Sequence, residues 1–100
     1  MRLRWTDAAR HDLLAIGAYI ARDNPSAARA WVERLREKAR SAARMPRSGR
    51  QVPEMRRDDV REVLLGNYRI VYRIAPPNVD VLAVIEGHRM MPGTIAEPDE

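Results

Sequence analysis

REVLLGNYRIVYRIAPPNVDVLAVIE, residues 61–86, decides the fold. Its middle, Tyr68–Ala75, alternates without a break. Tyr68, Ile70, Tyr72 and Ile74 fall on one side, Arg69, Val71 and Arg73 on the other. A period of two marks a strand with two unlike faces. Gly66-Asn67 before it is a two-residue turn suited to positive φ, so Arg61–Leu65 becomes the strand that pairs back upon it. Pro76-Pro77-Asn78 makes the next turn. Val79–Glu86 then reads as a third strand, with Val79, Val81, Ala83 and Ile85 on one face and Leu82 and Val84 on the other. Apolar residues on both faces place that strand centrally. The segment therefore predicts a three-stranded antiparallel meander.

Upstream of the meander, Met45–Pro53 (MPRSGRQVP) breaks all periodicity with two prolines and a glycine and reads as a loop. Before it, Asn24-Pro25 is a sharp helix start: Asn caps, and Pro is preset for the first helical position. A helix follows from Pro25 to about Arg44, with Ala28, Trp31, Val32, Leu35, Ala39 and Ala42 inward. Its outer face offers Glu33, Glu37 and Arg40 for ion pairing, the pattern of a solvated surface. A first helix begins at a Thr6 or Asp7 cap, buries Ala9, Leu13, Ile16 and Ile20, and stops near Arg22–Asp23. Gly17, on the same face, lets the second helix come close. Met1–Thr6 alternates as a short half-buried strand that pairs at one edge of the sheet. The order is β-α-α-β-β-β: an α+β domain, with an N-terminal strand, a helical hairpin and the meander. The expected domain is 1–92, followed by a short acidic tail at 93–100.

At 100 residues the chain suits one domain. With no cysteine it has no disulfide framework, thiolate metal site or cysteine nucleophile. His11 and His88 are too far apart in sequence to suggest a metal site, and no phosphate-binding glycine loop or dinucleotide fingerprint occurs. No cofactor and no metal are expected. No apolar run approaches the roughly 20 residues that span a bilayer, and MRLRWTD lacks a signal peptide's apolar segment. The cytoplasm is the expected compartment and no membrane partner is expected. Net charge is +4, and Glu97, Asp99 and Glu100 mask a more basic body. Only Lys38 is a lysine among the 18 basic residues, an arginine excess that suits anionic partners or simply reflects codon bias.

The side chains left for chemistry are Arg61, Arg69, Arg73 and Arg89 with Tyr68, Tyr72 and His88. Arginine can stabilise a developing phosphorane and histidine can move a proton, the minimum for metal-free RNA cleavage. An exposed loop histidine is the plainer reading of His88. Glu54, Asp58, Asp59 and Glu62 cluster among Arg47, Arg50, Arg56, Arg57 and Arg61, where local ion pairing is the simpler use. The helical hairpin covers one sheet face. The other carries Val71, Leu82 and Val84 beside Arg69 and Arg73, with nothing left to cover it. An apolar patch rimmed by arginine fits a protein partner.

Several segments, in this order, resemble the toxins of ParE/RelE-type toxin–antitoxin modules, specifically the ParE branch. They are Trp5 with Ala8-Ala9 and Asp12-Leu13, then Ile16 with Tyr19-Ile20, and Asn24-Pro25 with Ala27-Ala28. Pro46 with Gly49-Arg50, Val52-Pro53-Glu54 and Arg61-Glu62 follow, then Tyr68-Arg69-Ile70-Val71-Tyr72 and Val81-Leu82 through Arg89. The resemblance spans about residues 3 to 92 and implies the RelE/ParE-like arrangement of a helical hairpin on a small antiparallel sheet. The ParE branch implies a non-enzymatic toxin that poisons DNA gyrase and is neutralised by a small ParD-like antitoxin. On this reading the antitoxin is expected on the arginine-rimmed apolar face, at Arg69, Val71, Arg73, Leu82 and Val84, and the target at Arg89, Met90 and Met91, without sequence-specific nucleic-acid binding. The RelE branch implies instead a ribosome-dependent mRNA endoribonuclease, for which Arg61, Arg69, Arg89 and His88 are the candidate catalytic residues. No tyrosine follows Tyr72 and lysine occurs once, which thins the nuclease kit. Glu86-Gly87 stands where many ParE-like chains have His-Gly, with His88 displaced. A degenerate, non-toxic homologue that only binds antitoxin is the third reading.

Overall fold

Thr6 ends the first strand and starts the first helix: its hydroxyl oxygen accepts from the Ala9 N–H, while the hydroxyl donates to the Val81 carbonyl. The computed structural model describes residues 1–87. In chain order they form β1 (Arg2–Trp5), α1 (Asp7–Ala21), α2 (Pro25–Arg44), a 3-10 turn (Pro46–Ser48), β2 (Arg50–Gln51), β3 (Val60–Leu65), β4 (Tyr68–Ala75) and β5 (Asn78–Glu86). The Asn24 side chain accepts from the Ala27 N–H and Pro25 fills the first helical position, so α2 starts where its sequence predicts.

The described residues make one five-stranded sheet ordered β1-β5-β4-β3-β2. β1 runs parallel to β5 at one edge; the other pairings are antiparallel. β5 is thus an interior strand, flanked by β1 and β4 as its two apolar faces predict, while β4 is the middle strand of the five. The hairpin of α1 and α2 lies on one sheet face, where Ala9, Leu13, Leu35 and Ala39 pack against Ile70, Val81 and Val84. A Cβ on Gly17 would stand 3.1 Å from the Val32 side chain, so this glycine lets the helices meet. Gly66 turns at φ +57 beneath Trp31, whose ring meets Tyr68 edge-on at 5.7 Å.

Two expectations are corrected. The stretch Met45–Pro53 is not all loop: Arg50 and Gln51 pair with Glu62 and Arg61 and form a fifth strand. Two residues are too few to show a period, so the pairing is invisible in the sequence. In β5 the alternation does not persist. Val71 pairs with Ala83 but Tyr72 with Val81, so Leu82 is an extra residue in a β-bulge. Beyond the bulge the faces exchange. Val84 turns into the core under the helices, while Ala83 and Ile85 join Val71 and Leu82 on the far face.

Candidate functional site

The far face of the sheet is an apolar floor between two carboxylate clamps. The floor is Val60, Val71, Leu82, Ala83 and Ile85, and it is closed from above. Val52 and Met55, on the turn between β2 and β3, pack onto it, and Val52 is fully buried. The expected uncovered patch is therefore covered by the chain's own segment after Gln51. A sequence period cannot show a loop folding back over a sheet.

One clamp centres on Glu62, whose side chain is 0% exposed. Its Oε1 accepts from Arg69 Nε at 2.7 Å and its Oε2 from Arg50 Nε at 2.6 Å. The Arg69 guanidinium also donates from both Nη atoms to the two oxygens of Glu54, at 3.0 and 2.9 Å. Glu54 sits on the covering turn, so Arg69 ties that turn to the sheet. The hydrogen bonds from Arg69 hold the Glu54 carboxyl below its ordinary value, and those to Glu54 push Arg69 up. The second clamp centres on Asp80: Arg4 Nε and Nη2 donate at 2.7 and 3.1 Å, and Arg73 Nη2 lies at 3.6 Å. In both clamps a carboxylate on one strand meets arginines from the strands beside it, an arrangement in which bidentate guanidinium geometry is effective.

Arg61 belongs to neither clamp. It lies on the other side of β3 and holds the preceding loop, donating to the carbonyls of Asp58, Arg47 and Gly49 and to the Asp58 carboxylate. Tyr72 donates to the Pro46 carbonyl at 2.6 Å, and burial pushes its phenol up. A Cβ on Gly49 would overlap the Tyr72 hydroxyl and stand 2.9 Å from the Glu62 carbonyl, which explains the glycine before Arg50. Tyr68 packs on Trp31. Both tyrosines are structural.

Of the expected antitoxin contacts, Arg69, Val71, Arg73 and Leu82 do share the far face. Val71 is fully buried, Arg69 and Leu82 are each 8% exposed, and Val84 lies on the opposite face, moved there by the bulge. His88, Arg89, Met90, Met91 and the tail 93–100 lie outside the described residues. What the sequence reading lacked were the clamp partners of Arg69. The available signal was the run Val60-x-Glu62-x-Leu64, which puts a carboxylate on the floor side of a strand where only a paired charge is tolerable. The accessible part of this face is its β3 end. Leu64 is 48% exposed and, with Arg50, Asn67, Arg69 and Gly87, lines a shallow open depression. No metal-ligand cluster occurs among the described residues, and no helix among them is long and apolar enough to cross a membrane.

Three comparisons place this geometry among known proteins. The family described as the ParE toxin of type II toxin–antitoxin system, parDE, matches residues 3–91. A protein of Sinorhizobium fredii (strain NBRC 101917 / NGR234) named "Putative toxin Y4kP" is 39% identical over 93 residues, covering 91% of this chain and 93% of that protein. A solved structure titled "Chromosomal ParDE TA system from P. aeruginosa" superposes with a TM-score of 0.72. The match covers 86% of this chain and 95% of that one, at 24% identity, and shows the shared fold.

Proposed function

The chain belongs to the ParE toxin family of type II toxin–antitoxin systems, and from that premise we propose that it acts by binding: it inhibits DNA gyrase in the cytoplasm and is neutralised by a ParD-like antitoxin. The observation that carries this reading over the nuclease alternative is the engagement of the two described arginines of the nuclease kit. Arg61 donates to three backbone carbonyls and a carboxylate, and Arg69 to two carboxylates. A guanidinium so committed is poorly placed to meet a developing phosphorane. Target contacts are assigned to Arg89, Met90 and Met91.

The antitoxin is proposed to lay an acidic, amphipathic segment on the far face of the sheet, entering at the β3 end. Exposed Leu64 offers an apolar anchor there, and Arg50, whose side chain is 59% exposed, offers a charge. Arg69, Arg73, Val71 and Leu82 form the wall and floor behind that entry. Residues 1–92 are proposed as the toxin domain, with 93–100 as an appended tail.

Expression of the chain without antitoxin tests the reading. Filamentous cells with induced DNA-damage signalling are expected, relieved by co-expression of the antitoxin. Rapid translation arrest with codon-positioned mRNA cuts would overturn it in favour of the nuclease, and unimpaired growth in favour of a non-toxic homologue.

A further inference from the structure

The two helices treat their solvent faces differently. On α2 that face is a web of ion pairs, with Arg40 on Glu33 and Glu37 and Arg44 on Glu37. On α1 it is an apolar stripe. Leu14 and Tyr19 are each 70% exposed, and Ala8, Ala15 and Ala18 beside them are exposed too. These positions follow helical spacing on the side opposite Ala9, Leu13 and Ile16, which face the core. Single exposed apolar residues are ordinary, but a stripe along a whole helix with alanines at its centre permits close approach of another helix.

Charges of opposite sign stand at the two ends of the stripe. Arg10, at its flank, reaches back to Asp7 at 3.3 Å within the same helix, an exposed and weak pair that Arg22 of a second copy can join. Asp7, whose side chain is fully exposed, stands in the first turn; Arg22 follows the last. Arg22 stacks over Tyr19 at 6.0 Å, and no carboxylate of the described residues pairs with it. Two copies of α1 laid antiparallel about a midpoint between Leu14 and Ala15 are self-complementary. Leu14 faces Ala15 on each side of the two-fold axis, His11 faces Ala18, and Asp7 faces Arg22 at both ends. The antiparallel order also sets each helix's positive end against its partner's negative end.

We propose that the α1 stripe of Leu14, Ala15, Ala18 and Tyr19 is the contact between two copies of this chain, joined as an antiparallel two-fold helix pair with reciprocal Asp7–Arg22 ion pairs. This surface lies away from the clamps and does not depend on the target or the antitoxin. A helix of 15 residues is about 22 Å long. Two such helices bury less than about 1,200 Å² in total, the class of weak, reversible contacts. The dimer therefore forms at high concentration and dissociates on dilution.

Sedimentation velocity of the purified chain across a wide concentration range tests this. The average mass is expected to rise from one chain toward two. Leu14→Glu should hold it at one chain with an unchanged circular dichroism spectrum. Asp7→Arg alone should weaken association about tenfold, through two repelling ends, and Asp7→Arg with Arg22→Asp should restore it. That rescue is not expected of a merely destabilised helix. A chain that stays monomeric throughout overturns the proposal and leaves the stripe to a different protein. A dimer unaffected by Leu14→Glu, or a double variant no better than Asp7→Arg, overturns it as well.

Discussion

Arg69 brings a positive charge to a site only 8% exposed, and the fold tolerates it because Glu62 and Glu54 meet three of its N–H groups. Removing one partner of a buried ion pair leaves the other charge uncompensated, which costs more than the pair contributes. Arg69→Met should therefore destabilise the fold by about 3 kcal/mol, at the lower end of the usual range because Arg50 still holds Glu62. Urea unfolding checks this: the midpoint falls while the slope is unchanged. Glu54 supplies a pH test. Its folded carboxyl lies below the ordinary 4.5, so its contribution is fully present above that value and is lost as pH falls through the folded value. Glu54→Gln should lower stability at neutral pH and flatten the acid limb of a stability–pH profile. An acid limb equally steep in both proteins would show that Glu54 is not tied to Arg69. At this scale the sequence told half the story. Asn24-Pro25 and Thr6 mark their helix starts because capping is local chemistry. Arg69 could be placed on a face but not with its acids, because Glu54 precedes it by fifteen positions and approaches through a turn.

The elements were legible wherever a period had room to run. α1, α2, β4 and the two turns around β4 sit within a residue or two of where spacing and turn chemistry place them. What periodicity could not show was a two-residue strand and a bulge. The bulge at Leu82 exchanges the faces of β5, so the expected surface residue Val84 is core. Just beyond it, past the end of β1, the Val84 N–H is met by Asp12 of α1 at 3.0 Å. A helix side chain thus completes the sheet edge that β1 leaves open. Burial pushes the Asp12 carboxyl up, so its pH dependence has the opposite sign to that of Glu54: its favourable contribution is present at low pH and is lost as pH rises through the folded value. Asp12→Asn keeps an acceptor without the desolvated charge and should leave stability at neutral pH equal or slightly higher. Asp12→Ala leaves the N–H unmet and should cost about 1–3 kcal/mol. Thermal unfolding of the two variants side by side checks the contrast. Equal losses in both would mean that the charge, not the hydrogen bond, matters.

For the molecule as a whole, the arginine excess changes meaning once the partners are visible. Arg4, Arg40, Arg44, Arg47, Arg50, Arg57, Arg61 and Arg69 all meet carboxylates within the chain. The basic surplus is distributed through ion pairs rather than lined up as a stripe that would track a phosphate backbone. This favours a protein target over RNA, and it separates two surfaces of the same small domain: the clamped sheet face with its open β3 end, and the apolar stripe on α1. The most direct test of the central claim is a supercoiling reaction with purified DNA gyrase, relaxed plasmid and ATP, to which the purified chain is added. Blocked supercoiling with accumulation of cleaved plasmid, reversed by the antitoxin, is the expected result. Unimpaired supercoiling at a saturating amount of a folded chain would contradict gyrase as the target.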